Sequence, residues 1–304
     1  AATADVTISG EAATNYYGFG SSLAVGDWNA DGKTDLAVSS QDYATQTGRA
    51  YVFYNGSIIT ENASGADIVI QGETTSNYFG GALASGDFNA DGKTDLAVGA
   101  YGYGSSRGRV YMYTFNDGEI TGETTNNVFG YSLASGDFNA DGRVDLAIGA
   151  NGYSSNTGRA YLFYNDGSIP ATATAADIII QGETTSNFFG SSLTSGDWNA
   201  DGRADLAVGA RGYSTNTGRA YLFYNDGSIP TTAATADIII QGETTSNYFS
   251  HSFSSGDFNA DGTTDLAVGS YVYSSNTGRA YIFYNDGSIP TTAATADVII
   301  TGEA

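Results

Sequence analysis

Asp197-Trp-Asn199-Ala-Asp201-Gly202-Arg-Ala-Asp205 decides the fold of this chain, because close copies of it occur four more times. The copies occupy residues 27–35, 87–95, 137–145 and 257–265, and we refer to all five stretches as the acidic loops. Each loop has Asp at position 1, Asn at position 3, Asp at position 5, Gly at position 6 and Asp at position 9. Self-similarity at regular intervals indicates a repeat architecture.

The acidic loops divide the 304 residues into repeat units that we interpret as one domain, residues 1–304. The first Asp of each loop falls at residue 27, 87, 137, 197 or 257. The predicted units cover residues 12–73, 74–123, 124–183, 184–243 and 244–303, and residues 1–11 form an extra outer strand.

The fourth unit shows four strand patterns. Phe189 to Trp198 alternates into the acidic loop, Asp205 to Ala210 and Arg219 to Tyr224 are apolar, and Asp237 to Gln241 follows a hairpin signal at Asn225-Asp-Gly-Ser. No segment has the sustained periodicity of a helix. Four short antiparallel strands per unit predict an all-β fold, a β-propeller of five four-stranded blades. A stacked solenoid is the competing repeat architecture.

The two ends of the chain carry copies of the same strand. Ala4 to Glu11 and Ala296 to Glu303 both match the fourth strand of a unit, which gives one outer strand too many. We expect the surplus strand to add to the last blade, to fray or to pair with another molecule, since an open strand edge is a template for association. The second unit retains only Glu119 to Glu123 of this strand, which predicts a short or ragged outer edge.

Each acidic loop presents the oxygen ligands that a hard cation requires. Ca²⁺ binds six to eight oxygens, whereas Mg²⁺ demands a tighter octahedron with more water, so the loops favour about five Ca²⁺ ions, one per blade. Val208 stands at position 12, where an EF-hand needs Glu, so this is a strand-loop-strand site. The alternative is that the loops are simple turns. The predicted ligands are Asp27, Asn29, Asp31, Asp35, Asp87, Asn89, Asp91, Asp95, Asp137, Asn139, Asp141, Asp145, Asp197, Asn199, Asp201, Asp205, Asp257, Asn259, Asp261 and Asp265.

The chain resembles the FG-GAP repeat family of integrin α-subunit propellers. The Phe-Gly element occurs at Phe19, Phe79, Phe129 and Phe189 and becomes Phe-Ser at Phe249, while the family's Pro after Gly-Ala is absent. The resemblance implies a calcium-binding propeller, most often of seven blades. Five units leave open whether the ring closes with five blades or belongs to a larger one.

The net charge of −22 limits the classes of partner that the chain can bind. A chain this acidic is repelled by phosphate, so we expect no nucleic-acid partner, and no apolar run is long enough for membrane insertion. The absence of cysteine excludes a disulfide framework. The N-terminal residues lack a basic region followed by an apolar core, so they are not an intact signal peptide.

Few residues outside the loops suggest catalysis. His251 is the only histidine, and we interpret it as a divergent strand residue. The recurring Arg219 and Glu183 and their equivalents are interpreted as structural ion pairs. The end of the blades opposite the acidic loops is where the repeats differ most, with Gln41, Tyr101, Asn151, Arg211 and Tyr271 at one equivalent position.

We therefore predict a secreted or cell-surface, non-enzymatic propeller in which calcium is structural. Its ligand, a protein or a glycan, is expected on the end opposite the calcium loops, since loops on a rigid scaffold commonly carry function. The leading function is adhesion or protein interaction. The alternatives are a calcium-dependent lectin, with Tyr101, Tyr131 and Tyr271 stacking on sugars, and a polysaccharide-degrading enzyme.

Overall fold

The computed structural model describes residues 6–11, 18–55, 62–113 and 118–303. The described residues form five four-stranded antiparallel sheets, each made of four consecutive strands, which confirms the predicted propeller blades. Ala4 and Asp5 of the first terminal strand, and the start of the first predicted unit at residues 12–17, lie outside the described residues.

The strands of each sheet, called blades 1 to 5, follow chain order. Blade 1 contains β1 Phe19–Gly26, β2 Asp35–Ser40, β3 Arg49–Phe53 and β4 Ile68–Gln71. Blade 2 contains β5 Phe79–Gly86, β6 Asp95–Ala100, β7 Arg109–Tyr113 and β8 Gly118–Thr121. Blade 3 contains β9 Phe129–Gly136, β10 Asp145–Ala150, β11 Arg159–Phe163 and β12 Ile178–Gln181. Blades 4 and 5 contain β13 Phe189–Gly196, β14 Asp205–Ala210, β15 Arg219–Phe223, β16 Ile238–Gln241, β17 Ser252–Gly256, β18 Asp265–Ser270, β19 Arg279–Phe283 and β20 Val298–Thr301.

Short helical turns occupy two kinds of connection. The second and third strands are joined by four-residue turns, α1 Tyr43–Gln46, α2 Tyr103–Ser106, α3 Tyr153–Asn156, α4 Tyr213–Asn216 and α5 Tyr273–Asn276. In the first four of these turns three residues have positive φ, so they are tight turns and not regular helix. Single 3₁₀ turns precede the fourth strands at Ala63–Gly65, Ala173–Ala175, Ala233–Thr235 and Ala293–Thr295.

Blade 4 forms where the sequence pattern predicts it. The second strand has the predicted bounds, and the other three are shorter by one or two residues. The third and fourth strands pair antiparallel as expected. Their connection, residues 224–237, is longer than the tight hairpin that Asn225-Asp-Gly suggested, because it also contains the 3₁₀ turn at Ala233–Thr235.

The sequence departs from the repeat pattern in the second unit and at Ser250, and the two departures affect the strands differently. The prediction of a short or ragged outer edge in blade 2 is wrong, because β8 has four residues like every other fourth strand and pairs with β7 from Arg109↔Thr121 to Met112↔Gly118. By contrast, the replacement of Gly by Ser250 shortens β17 to five residues, where the other first strands have eight. Ser250 keeps the positive φ of the glycines it replaces, 66°, and donates to the Arg219 carbonyl over 2.8 Å.

The chain forms two compact units, residues 1–131 with 167–174 and residues 132–166 with 175–304. The prediction of one domain for residues 1–304 therefore stays a prediction.

Within each unit, one face of a blade packs on the next blade in the chain. We call the first of these two surfaces the outgoing face and the second, on the next blade, the incoming face. The outgoing face of blade 4 consists of Trp198, Ala207, Ala220, Leu222 and Ile240. It packs on the incoming face of blade 5, which consists of Phe249, Leu266, Val268, Tyr281 and Phe283.

One glycine shows why the blades approach so closely. Gly218, between α4 and β15, has φ of 83°, and a Cβ there would overlap the backbone carbonyl of Phe249. Only glycine combines this left-handed angle with the missing side chain. No helix among the described residues is long and apolar enough to cross a membrane.

Candidate metal centre and the opposite end

The acidic loop between β13 and β14 is organised by hydrogen bonds from its own backbone. The amide of Asp201 donates to Asp197 Oδ1 over 3.1 Å and to Asn199 Oδ1 over 3.0 Å, and the amide of Gly202 donates to Asp197 Oδ2 over 2.9 Å. The amide of Arg203 donates to Asp201 Oδ1 over 2.9 Å. The side chains at positions 1, 3 and 5 are therefore gathered at one side of the loop.

The other four loops have the same geometry. The position-5 amide donates to the position-1 and position-3 oxygens over 2.9 to 3.1 Å in each of them. The residue between positions 3 and 5 has a positive φ in every copy, with Ala200 at 58°. The loop conformation is thus a repeated structural element rather than an accident of one turn.

The position-9 carboxylate lies deeper than the other three. Asp205 is fully buried, and its two oxygens accept from the amides of Trp198 over 2.8 Å and Asn225 over 2.7 Å. Desolvation by burial raises the pKa of Asp95, Asp145 and Asp205 to about 6. Burial thus makes the negative charge costly at these positions, and a bound cation would offset that cost.

The structure brings positions 1, 3 and 5 together and ties position 9 to structural amides. Among the described residues, no group of three or more His, Cys, Asp or Glu side chains has an arrangement that holds a metal ion. The donor set still fits Ca²⁺ in its chemistry, because it consists of carboxylate and amide oxygens with a backbone carbonyl available at position 7. Calcium binding by the twenty predicted ligands stays a prediction.

In blades 1, 3, 4 and 5 the acidic loop and the connection between the third and fourth strands lie at the same end, as expected. In blade 4, besides the Asn225–Asp205 hydrogen bond, Arg203 donates to the Asn225 carbonyl over 3.4 Å. In blade 5, Thr263 donates to the Asn285 carbonyl over 2.8 Å. We call this the loop end.

The opposite end, which we call the aromatic end, is built from two other connections. The amide of Ser246 donates to Thr215 and that of Tyr248 to Asn216, so the connection between blades 4 and 5 is hydrogen-bonded to α4. Tyr248 has φ of 54°, and its equivalents Tyr78, Val128 and Phe188 have the same sign. Since Val128 shares this conformation, the fold imposes it and the aromatic ring does not.

Three tyrosines form a stack at the aromatic end of the first unit. The rings of Tyr78 and Tyr101 are stacked with centroids 4.7 Å apart, and Tyr131 lies 5.3 Å from Tyr101. Burial raises the pKa of the Tyr101 phenol above its usual range. Tyr101 and Tyr131 were predicted here, whereas Tyr78 was missed. The aromatic doublet Tyr78-Phe79 is the signal that would have found it.

A second aromatic group lies at the same end of the second unit. His251 packs on Tyr271 with ring centroids 4.2 Å apart, and the Tyr248 ring lies 5.5 Å from that of Tyr271. The Arg211 guanidinium lies over the ring of Phe188 at 5.5 Å. Burial and the Arg211 charge lower the pKa of His251. Tyr271 is the exposed member of the group.

The recurring arginines and glutamates form ion pairs. Arg219 pairs with Glu183 at 3.0 Å and Arg279 pairs with Glu243 at 2.9 Å. Each of these guanidiniums also lies 3.5 Å from the ring centre of the tyrosine that begins the preceding turn, Tyr213 or Tyr273. The arrangement joins each blade to the connection before it, which confirms the structural interpretation for these pairs.

Comparison with known proteins gives one family match along the chain. The FG-GAP repeat model matches residues 19–53, 79–113, 129–163, 189–223 and 249–283, which together make up more than half of the chain. Among solved structures, the Dos1 propeller matches 92% of this chain and 61% of its own with a TM-score of 0.49 at 14% identity. The six-bladed fucose-recognising lectin of Aleuria aurantia matches 92% of this chain and 78% of its own, with a TM-score of 0.48 at 11% identity.

Curated relatives match shorter stretches. Phosphatidylinositol-glycan-specific phospholipase D of Rattus norvegicus is 38% identical over 30% of this chain and 12% of its own length. Integrin alpha-M of Mus musculus is 39% identical over 28% of this chain and 8% of its own. Integrin alpha-IIb of Homo sapiens is 36% identical over 34% of this chain and 11% of its own length. The chain thus spans a small fraction of these relatives' length. From its repeated elements and the family match, this chain belongs to the FG-GAP repeat family and has integrin α-like propeller blades.

Proposed function

We propose that this chain is a non-enzymatic, extracellular interaction module whose loop end binds structural calcium and whose aromatic end binds a partner. The observation that carries the proposal is the fivefold recurrence of one acidic-loop geometry, including the hydrogen bonds that gather its oxygen ligands. The extracellular assignment rests on the similarity to integrin α subunits and on the millimolar calcium that such weak oxygen sites require.

In this proposal each blade holds one calcium ion in its acidic loop. In blade 4 the ligands are Asp197, Asn199 and Asp201, the carbonyl of Arg203, and Asp205. The ion supplies positive charge next to carboxylates that otherwise repel one another. The loop backbone positions the first three side chains before binding, through the amides of Asp201 and Gly202. The buried Asp205 links the site to the connection at Asn225.

The calcium proposal predicts a large effect of chelation on stability. Extracellular calcium modules have dissociation constants of about 0.1 to 1 mM. At about 1 mM calcium, mass action gives roughly 0.4 to 1.4 kcal/mol per site, or about 2 to 7 kcal/mol for five sites. Thermal unfolding followed by circular dichroism, with 1 mM calcium or with chelator, checks this. An unchanged melting temperature would remove calcium from the proposal.

The partner is assigned to the aromatic end because side chains there differ between copies while the backbone is the same. Tyr78, Tyr101 and Tyr131 form one aromatic group, and Tyr248, His251 and Tyr271 form another. Aromatic residues at exposed positions dominate many interfaces. Adhesion or another protein interaction is therefore the leading function, and a panel of immobilised extracellular matrix proteins tests it directly.

A calcium-dependent lectin is the second candidate, and the exposed Tyr271 ring favours it, because exposed aromatic rings stack on sugar rings. A glycan array separates the candidates. Saccharide binding that is lost in Tyr271→Ala supports the lectin, and an array without binding favours protein interaction. The control is Tyr271→Phe, which keeps the ring and should keep stacking.

The non-enzymatic part of the proposal rests on composition. A single histidine, His251, stands in the whole chain, and its pKa is lowered by burial and by Arg211 rather than tuned by a carboxylate. The similarity to phospholipase D covers 12% of that enzyme. Turnover of a polysaccharide or of a glycosylphosphatidylinositol substrate that is lost in His251→Ala would overturn this part.

A further inference from the structure

The β1 part of the incoming face of blade 1 is more exposed than the equivalent strand of any blade that follows another within its unit, whereas Val38, Tyr51 and Phe53 of the same face are buried. Leu23 in β1 is 61% exposed, whereas the equivalent Leu83 of blade 2 is 6% exposed and Leu193 of blade 4 is 9% exposed. Val25, on the same side of β1, is 58% exposed. In blades 2 and 4 the corresponding surface is covered by the outgoing face of the blade before.

The outgoing face of blade 5 is exposed in the same manner. Phe258 is 44% exposed, whereas the equivalent Trp198 of blade 4 is 2% exposed. Ile300 in β20 is 55% exposed, whereas Ile240 in β16 is fully buried against blade 5. The two units therefore each carry an apolar blade face of the kind that is paired inside the unit.

The segment Val6 to Glu11 covers the outer part of the blade 1 face by imitating a fourth strand. Ile8 packs on the cluster of Val38, Tyr51 and Phe53. Ser9 forms a parallel bridge with Asn62, as Gln241 at the end of β16 does with Thr292. Glu11 pairs with Arg49 at 2.9 Å, as Glu243 does with Arg279. The segment thus occupies the place of a preceding blade's fourth strand, while the surface of β1 around Leu23 and Val25 is exposed.

We propose that a second copy of this chain fills that place, its blade 5 docking head-to-tail on blade 1, with its Val298 to Glu303 replacing Val6 to Glu11. The two segments have nearly the same sequence, so Ile300 takes the position of Ile8. Glu303 is exposed and carries the charge that Arg49 requires. The docking repeats an interface that already joins blade 4 to blade 5.

The interface joins two different faces, so each docked pair leaves one face of each kind open. Such heterologous contacts build rings or open chains rather than isolated symmetric dimers. Sedimentation velocity and light scattering of the wild-type chain should therefore show a mass that rises with concentration beyond the dimer. The outgoing face includes Phe258 of the fifth acidic loop but none of the predicted calcium ligands, and the docking requires no partner at the aromatic end, so it stands independently of the proposed function.

Two exposed residues give a mixing experiment that distinguishes head-to-tail docking from other association. Leu23→Asp removes the receiving face and Ile300→Asp removes the docking face, so each variant alone should be monomeric. A mixture should give a heterodimer and nothing larger, because each variant retains the face that the other lacks. Near-ultraviolet circular dichroism verifies folding, which exposed positions should preserve.

Ile299→Asp is the matched control. Ile299 neighbours Ile300 on β20, and adjacent strand residues point to opposite faces, so this variant should assemble like the wild type.

Two glutamate variants test separately whether Val298 to Glu303 of the second copy replaces Val6 to Glu11. Glu303→Ala should weaken association and Glu11→Ala should strengthen it, each up to about fivefold, because the two carboxylates compete for Arg49.

Three results overturn the proposal. A wild-type chain that stays monomeric at every concentration means that the faces meet within one chain or bind a different protein. A mixture of Leu23→Asp and Ile300→Asp that stays monomeric excludes head-to-tail docking. Glutamate variants that change association in the same direction exclude replacement of the terminal strand.

Discussion

The loop end and the aromatic end of the blades use one backbone in two different ways. At the loop end, five copies repeat the same side chains and the same hydrogen bonds, from Asp27 to Asp265. At the aromatic end, the backbone repeats but the side chains change, with Tyr101, Arg211 and Tyr271 at one equivalent position. The repeated chemistry belongs to the scaffold, and the varied chemistry is where binding specificity is expected.

Substitution of a buried loop carboxylate should have the largest effect on stability. Asp205→Ala removes the acceptor for two backbone amides, those of Trp198 and Asn225, in a fully buried position. Each unsatisfied buried donor costs about 1 to 3 kcal/mol, so we expect the free energy of unfolding to fall by about 2 to 6 kcal/mol. Urea denaturation of the variant and the wild type measures this.

The matched control lies in the same loop. Asp201 is exposed, so Asp201→Ala should cost little beyond the lost calcium contribution, roughly 0.4 to 1.4 kcal/mol. If Asp205→Ala and Asp201→Ala lowered the free energy of unfolding equally, burial of the position-9 carboxylate would not make it more important for stability than the exposed position-5 carboxylate.

Acidification should stabilise the calcium-free chain. Burial raises the pKa of Asp95, Asp145 and Asp205 from 3.8 to about 6, so between these values the folded state binds more protons than the unfolded state. Their contribution is present at low pH and is lost as pH rises through 6. The melting temperature in calcium-free buffer should therefore rise from pH 7.5 to pH 5.5. The lowered pKa of His251 has the opposite effect, because acidification then destabilises the folded state, but it involves one group against three.

Calcium should reverse or flatten this pH response, because a bound cation favours the ionised carboxylates. Matched melts in saturating calcium provide the comparison. A calcium-free melting temperature that falls on acidification contradicts the assignment of the buried position-9 carboxylates.

Substitution at the aromatic end should have the smallest effect on stability. Tyr271 is exposed and packs on His251 and Tyr248, so Tyr271→Ala should change the free energy of unfolding by about 0.5 kcal/mol or less. Binding of the partner should be lost all the same. A variant that unfolds readily would place Tyr271 in the scaffold rather than in a binding surface.

Local patterns in the sequence predicted most of the fold. The strands of blade 4, the position of the acidic loops at one end, and the pairing of Arg219 with Glu183 follow from alternation, turn residues and repetition. These features depend on short stretches of chain, and each stretch occurs in several copies. Equivalent positions in the five units indicated where each strand of a blade begins and ends.

Features that depend on contacts between distant segments were not predicted. The short fourth strand β8 is complete because its pairing with β7 needs only four residues, which the shortened second unit retains. The placement of Val6 to Glu11 on blade 1 depends on Ile8, Asn62 and Arg49, which are far apart in sequence. The positive φ of Tyr78 follows from its hydrogen bond to the Gln46 carbonyl, which no local pattern indicates.

Calcium titration of the chelator-stripped chain by isothermal calorimetry tests the central claim most directly, because it counts the ions that the loop end holds. The claim predicts about five ions per chain with dissociation constants on the order of 0.1 to 1 mM, and the same count for Tyr271→Ala. One ion, or no saturable binding up to several times that concentration, would contradict the claim that the five acidic loops are calcium sites separate from the binding end.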